Sequence, residues 1–263
     1  MEIHLARMLG YDQIEPGKTT GYRVPIECVF TKVVTPASSL HRRLRTGENP
    51  AYYGLDTRPH KDEVVFLPET ITTWSTKIEA GGDVYRTLKE MAKAGGLVGR
   101  EANRLKELTI AGAEALSMEA AKAGLVLADG KFEFVLGPGR NLLFADSVYT
   151  WDENRWLYQL PNYRWVDLSK QVARNAYNIQ GEWKRALKEA QKQYPQDKSR
   201  WPSPPDMGED VRELFARASA AVRFALTDGR EAEHFVKDVA QRVADGLDRL
   251  KDKYHRDELE EEV

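Results

Sequence analysis

Alternating charged and apolar residues predict a short β-strand near the middle of the chain. Asp129, Lys131 and Glu133 alternate with small or apolar residues. Side chains two residues apart on a strand lie on the same face. We therefore expect the three charged side chains to lie side by side, with Phe132 and Phe134 in the core behind them.

A second strand is predicted from Leu142 to Asp146, where it ends in a carboxylate. The intervening residues 137–141 contain two glycines and a proline, which is typical of a turn. The resulting hairpin would bring Glu133 and Asp146 towards each other. Two carboxylates on neighbouring strands form an oxygen-rich site that suits Mg²⁺ and a nucleotide phosphate.

The remaining hydrophobic pattern predicts helices and a few more strands. Helical spacing of apolar residues indicates helices over 84–94, 99–123, 169–193, 208–226 and 230–252, with a short one over 39–44. Strands are predicted over 22–34 and 70–78, a loop over 45–69 and a linker around the prolines of 202–205. The predicted fold class is α+β, with short antiparallel strands around a cleft, backed by helices. The apolar stripe of 230–252 must be buried either on its own body or on a partner.

The amino-acid composition limits the classes of protein to which the chain can belong. The 263 residues carry a net charge of −2 and are 41% hydrophobic, which favours a soluble globular protein and argues against a dedicated nucleic-acid binder. The single cysteine, Cys28, excludes an internal disulfide framework and a cysteine-based zinc site. We expect Cys28 to be a buried small hydrophobe in a cytoplasmic protein. No apolar run approaches the roughly 18 residues of a membrane span, so no membrane partner is expected.

Five segments, in the same order, resemble those of the SAICAR synthetase (phosphoribosylaminoimidazole-succinocarboxamide synthase) family. The segments are Pro25–Val29, Leu67–Asp83, Leu127–Phe134, Asp146–Trp156 and Ser169–Arg174. The helix predicted up to Gly229 also fits the closing helix of that family, so the resemblance covers about residues 22–229. A single motif of this kind arises by chance, whereas five in order rarely do.

The resemblance implies a ligase with ATP and Mg²⁺ as cofactors. In that family, ATP activates the carboxylate of a carboxylated aminoimidazole ribonucleotide, and the amine of aspartate then forms an amide. The small-molecule partners would be this ribotide acid and aspartate. The resemblance assigns Asp129, Lys131 and Asp83 to catalysis, Glu133 and Asp146 to metal binding, and Lys77, Asp152, Arg155, Lys170 and Arg174 to substrate binding.

The chain also departs from the family pattern. Nothing in it resembles the N-terminal lobe that covers ATP, so we interpret 1–83 as a remnant of that lobe with cleft strands. Residues 84–229 would form the catalytic lobe, and 230–263 an extra helix and an acidic tail. Thr31 stands where the family has an arginine, and Ser147 where it has a second acid.

These departures from the family pattern are compatible with several interpretations of the chain. The chain could be part of a split enzyme whose ATP lobe is a partner chain, a relative with a changed substrate, or a weakened binding protein. We favour the first two because the acids around Lys131 are retained. Three further alternatives remain open: a non-catalytic subunit that binds nucleotide or ribotide, a structural protein with a solvated charged strand, and a homo-oligomer.

Overall fold

The computed structural model describes residues 6–76, 84–146, 148, 150–195 and 197–261, with the side chains of 255–261 excepted. The chain forms two compact units. The first unit comprises Met1–Ser117 with Leu127–Asn154, and the second unit comprises Met118–Val126 with Arg155–Val263. These divisions differ from the three sequence segments proposed above, whose functional roles remain predictions.

The first unit is built on an antiparallel sheet. Its strands are β1 (Tyr22–Arg23), β2 (Ile26–Val34), β3 (Val65–Thr76), β4 (Tyr85–Arg86), β5 (Val126–Leu136, of which all but the first residue belongs to this unit) and β6 (Leu142–Ala145). The order is β4-β3-β2-β5, and β1 and β6 both pair with β5. The predicted hairpin is confirmed as β5–β6, in which Glu133 pairs with Ala145. The α+β class is confirmed as well.

Among the described residues, three α-helices belong wholly or mostly to the first unit: α1 (Ser39–Arg45), α2 (Leu88–Ala94) and α3 (Glu101–Ala121). The predicted start of α2 is wrong. Thr87 and Glu90 form a capping box, which fixes the helix start after β4. The predicted loop over 45–69 is also partly wrong, because it contains a 3-10 turn at Pro50–Tyr53 and the first residues of β3.

Helix α3 packs against one face of the sheet. Cys28 of β2 is fully buried there and hydrogen bonds with Thr109 of α3. Burial raises the pKa of the Cys28 thiol, which keeps it protonated and unreactive, in agreement with the expectation from sequence. Lys32 also lies on this side, since its Nζ is 2.5 Å from Glu114 Oε2 of α3. The charged residues of β5 therefore face away from α3.

Arg140 connects the β5–β6 turn to the start of α3. Its Nε and Nη2 each lie 2.7 Å from the Glu101 carboxylate, and its guanidinium also donates to the carbonyl oxygens of Thr19 and Gly96. Both charged side chains are less than one-fifth exposed. A bidentate pair with two further backbone bonds is geometrically specific, so it holds the hairpin end in place.

The described part of the second unit contains a β-hairpin and four α-helices. Its elements are β7 (Asn154–Gln159, whose first residue belongs to the first unit), β8 (Trp165–Asp167), α4 (Gln171–Gln180), α5 (Glu182–Gln193), α6 (Glu209–Asp228) and α7 (Glu233–Glu261). The single helix predicted over 169–193 is wrong, because Gly181 adopts a φ of 70° and separates α4 from α5. The sequence pattern did not reveal β7 or β8.

Helix α7 extends through most of the segment predicted to be an acidic tail. Its apolar stripe packs on α6 of its own unit, where Phe235 contacts the ring of Phe224. Val236, Val239 and Val243 of the stripe are fully buried. Of the two alternatives left open by the sequence, burial on its own body is therefore the one observed. Among the described residues, no helix combines the length and apolarity needed to cross a membrane.

Replacing Arg140 with alanine tests the role of the hairpin anchor. We expect Arg140→Ala to lower the free energy of unfolding by about 2 to 3 kcal/mol, because it leaves the Glu101 carboxylate without its bidentate partner. Urea unfolding followed by circular dichroism measures the loss. The control is Arg104→Ala, whose exposed pair with Glu107 is worth at most about 1 kcal/mol. Equal losses in both variants would contradict the anchoring role.

Candidate functional site

The sheet face opposite α3 carries a cluster of charged and hydroxyl side chains, which we call the polar face. It is formed by Glu27 and Thr31 of β2 together with Asp129, Lys131 and Glu133 of β5. Thr31 pairs with Asp129, and Val29 pairs with Lys131, so the two sets of side chains share one face. Phe132 and Phe134 are almost fully buried on the opposite side. The alternation predicted from sequence is therefore confirmed.

Lys131 is held between two acids that the sequence analysis did not select. Its Nζ lies 2.9 Å from Glu27 Oε1 and 3.2 Å from Glu153 Oε2. The Glu27 side chain is only 7% exposed and also accepts a hydrogen bond from Ser75 Oγ at 3.2 Å. A buried carboxylate needs such partners because it has lost its hydration.

The two acids keep Lys131 charged. Burial alone would favour the neutral amine, but hydrogen bonding to Glu27 and the charges of Glu27 and Glu153 outweigh it, so the pKa of Lys131 lies above its ordinary value. Lys131 is therefore a fixed cation at neutral pH. It can donate a hydrogen bond to a bound group but cannot act as a base.

Arg23 connects the carboxylates of Glu133 and Asp146. Its Nη2 contacts Glu133 Oε2 directly and lies 3.6 Å from Asp146 Oδ2. The Glu133 side chain is 5% exposed, whereas that of Asp146 is 52% exposed. Asp146 follows directly after β6 and has a φ of 61°, a conformation that aspartate tolerates better than most residues. The hairpin does bring the two acids to one place, as expected.

The described residues do not fit a divalent ion between Glu133 and Asp146. The guanidinium of Arg23 already contacts both carboxylates. Within the described ranges, no group of three or more His, Cys, Asp or Glu side chains is arranged to hold a metal. Mg²⁺ requires near-octahedral oxygen coordination and usually retains several waters, which a guanidinium in the same place would obstruct.

Asp129 and Asp152 lie on different parts of the first unit's backbone. Asp129 is half-buried on β5, opposite the buried Thr31, and Asp152 is exposed in the turn before β7. Gly130, next to Asp129, has no room for a side chain, because an added Cβ would lie 2.6 Å from Phe30 Cζ and would collide with Asn154. Two further predicted site residues, Lys77 and Asp83, lie outside the described residues.

Three predicted substrate-binding residues belong to the second unit. Arg155 Nε lies 3.0 Å from Asp167 Oδ2, and both side chains are about one-tenth exposed. Burial raises the pKa of Asp167, although Arg155 and the hydrogen bonds from Ser169 oppose the rise. Lys170 immediately precedes α4, and Arg174 is exposed on that helix. Their proposed contacts with substrate remain predictions.

The residues that sequence reasoning missed are Arg23, Glu27 and Glu153. Glu27 did give a signal, because it interrupts the apolar residues of β2, and a charge in a buried strand requires a partner. The signal could not identify Lys131 as that partner, since the two residues are 104 positions apart in sequence. Arg23 and Glu153 lie at strand ends, where charges are common and carry little information.

The SAICAR synthetase family model matches residues 19–190, which include the polar face. The chain belongs to the SAICAR synthetase family. This confirms the resemblance drawn from the five sequence segments.

Curated relatives in the family differ in how much of their length the chain covers. A putative phosphoribosylaminoimidazole-succinocarboxamide synthase of Archaeoglobus fulgidus is 33% identical over 189 residues, covering 70% of this chain and 54% of the relative. The synthase of Thermoplasma acidophilum is 32% identical over 208 residues, covering 78% of this chain and 68% of the relative. The chain therefore spans about half to two-thirds of the length of these two relatives.

A solved structure supports the fold. The SAICAR synthase of Saccharomyces cerevisiae, determined in complex with SAICAR, aligns with a TM-score of 0.53 and 20% identity, covering 78% of this chain and 61% of the yeast chain. At this identity the likeness concerns the fold alone. It agrees with the combination of helices and antiparallel strands described above.

The pairing of Lys131 with Glu27 and Glu153 should make a contribution to the free energy of unfolding that depends on pH. We expect Lys131→Met to lower the free energy of unfolding by about 2 kcal/mol near neutral pH, because Glu27 loses its cation. The pKa of Lys131 is raised in the folded state, so its contribution is fully present below the ordinary value of 10.5. That contribution is lost as the pH rises through the folded value.

The measurement is urea unfolding of both proteins between pH 7 and pH 11. The stability gap between the native protein and Lys131→Met should stay constant up to about pH 10 and narrow above it. Lys18→Met is the matched control, since Lys18 forms an exposed pair with Glu15 and should change stability by less than about 1 kcal/mol. If this stability gap widened as the pH rose, the result would contradict the assignment of Lys131 as the cation that stabilises Glu27.

Proposed function

We propose that the chain is an ATP-dependent ligase of purine biosynthesis, or the ligase part of one. It would join the carboxylate of a carboxylated aminoimidazole ribonucleotide, or a similar acid, to the amine of aspartate, or a similar amine. The observation that carries the proposal is the polar face within the matched residues 19–190, where Lys131 is fixed as a cation beside Asp129 on β5. The alternation of acids and lysine on that strand is the arrangement expected from the family signature.

The proposed reaction has two steps whose atoms balance. A carboxylate oxygen of the acid attacks the γ-phosphorus of ATP, which forms an acyl phosphate and releases ADP. The amine nitrogen then attacks the acyl carbon, the amide bond forms, and inorganic phosphate leaves with the electron pair of the broken C–O bond. The attacking amine must lose its ammonium proton first, and a second proton leaves the nitrogen as the amide forms.

The residues of the polar face suit these needs. Lys131 stays protonated at neutral pH and directs two of its three N–H groups at Glu27 and Glu153, so it would donate the third to an oxygen of the acyl phosphate. Asp129 would accept the ammonium proton from the amine, because it is a carboxylate on the same face of the same strand. Asp83 is proposed for the same reaction centre on resemblance alone.

Substrate binding would draw on further residues. By resemblance, Lys77, Asp152, Arg155, Lys170 and Arg174 are proposed to hold the ribotide and aspartate. Mg²⁺ enters this proposal as the usual counter-ion of the ATP triphosphate, with no ligand assigned to it in this chain. A partner chain that supplies an ATP-binding lobe, and a cytoplasmic location, belong to the same proposal.

The test is release of ADP and phosphate by the purified chain, alone and mixed with products of neighbouring genes. We expect turnover only when ATP, a ribotide acid and an amino acid are all present. Lys131→Met and Asp129→Asn should each reduce the rate by about 100-fold or more, because they remove charge stabilisation or proton transfer at the reaction centre. Glu133→Gln should also abolish turnover, because it disrupts the ion pairs that organise this face.

The matched control is Lys32→Met, which removes a cation from the opposite face of the same sheet and should leave the rate unchanged. An equal loss in Lys32→Met would contradict the placement of the reaction on the polar face. Binding of ADP or ribotide to the chain without turnover in any mixture would instead support a non-catalytic binding subunit.

A further inference from the structure

The pairing of β1 with β5 brings Arg23 next to the predicted metal ligands. β1 is two residues long, and Arg23 pairs with Val135 in antiparallel register. Glu133 lies two residues before Val135 on β5, which makes it a diagonal neighbour on the same face. Backbone pairing therefore places Arg23 within reach of Glu133, and its side-chain conformation brings Nη2 into contact with the carboxylate.

Asp146 reaches the same guanidinium from the other edge of β5. Ala145 pairs with Glu133, so the residue after it lies at the same end of the strand pair. Asp146 Oδ2 is 3.6 Å from Arg23 Nη2. The guanidinium of Arg23 thus lies against two carboxylates, one on β5 and one directly after β6.

A guanidinium and a divalent ion would compete for these oxygen atoms. The guanidinium keeps its charge throughout the physiological pH range and is more weakly hydrated than an ammonium group. It can therefore remain beside Glu133, whose side chain is 5% exposed, at a lower desolvation cost than a strongly hydrated ion. Expelling it to bind Mg²⁺ would require both dehydration of the metal and loss of the existing ion pairs.

We propose that Arg23 is the resident cation of the Glu133–Asp146 pair, and that this pair binds no divalent ion in the native chain. The inference goes beyond the proposed function, which assigns no metal ligand. Its test uses a metal ion without ATP or substrates, so either proposal can fail without the other.

The experiment is a titration of the full chain with Mn²⁺, followed by the electron paramagnetic resonance signal of the free ion. The native protein should show no bound Mn²⁺ that depends on Glu133. Arg23→Met should gain one bound ion, with an association constant at least 10-fold above that of the native protein. The double variant Arg23→Met/Glu133→Gln should lose this gain, which assigns the new site to the carboxylate pair.

Arg23→Lys provides the matched control, because it keeps the positive charge and should behave like the native protein. Thermal unfolding gives a second readout that does not depend on the resonance signal. Mn²⁺ should raise the midpoint of Arg23→Met, since bound metal replaces the missing charge, and should leave the native protein and the double variant unchanged. Arg23→Gln, which keeps amide donors near both acids, is the second variant if Arg23→Met does not fold.

Two results would overturn the proposal. One is a Mn²⁺ ion bound to the native protein that disappears in Glu133→Gln, because the pair would then be a metal site in spite of Arg23. The other is the absence of any gained Mn²⁺ in the folded neutral variants, because Arg23 would then not be what keeps the ion out.

Discussion

Buried acids on the polar face are paired with basic side chains of the same chain, and the arrangement of this face depends on that pairing. Glu27 pairs with Lys131, and Glu133 pairs with Arg23. A carboxylate that is removed from water without a nearby positive charge is costly. The strand register brings each acid next to its base. The sheet thereby fixes both the positions and the charges of the groups available for chemistry.

This pairing gives the face two different charged regions. Around Lys131, a cation is held between Glu27 and Glu153, and it stays protonated at neutral pH. Around Arg23, the carboxylates of Glu133 and Asp146 are already neutralised in part. The first region presents a protonated amine between two carboxylates, whereas the second holds together Glu133 on β5 and Asp146 after β6, at the end of the hairpin away from its turn. The reaction proposed above uses the first of these regions.

The sequence predicted the part of this arrangement that depends on local periodicity. The alternation around Lys131, the β5–β6 hairpin and the burial of Cys28 follow from residues close together in the chain, and each is confirmed. The ion-pair partners could not be found in the same way, because Glu27 and Lys131 come together only through the pairing of β2 with β5. The strands β7 and β8 were not predicted for another reason: in these short segments, polar and apolar residues do not alternate clearly with a period of two.

Helix boundaries show the same limit at a smaller scale. The start of α2 is set by a capping box at Thr87, and the separation of α4 from α5 is set by the positive φ of Gly181. The capping residues and the glycine are both visible in the sequence, but the spacing of apolar residues alone does not detect them. The metal-site prediction for Glu133 and Asp146 shows a different limit: the sequence anticipated that the two acids would lie close together, but it did not indicate the arginine that contacts both.

The most direct test of charge pairing on the polar face is a double-mutant cycle between Arg23 and Glu133. Free energies of unfolding are measured by urea denaturation for the native protein, Arg23→Met, Glu133→Gln and the double variant. Direct pairing predicts a coupling energy of at least about 1 kcal/mol. Effects of the two substitutions that add to within about 0.3 kcal/mol would contradict the account.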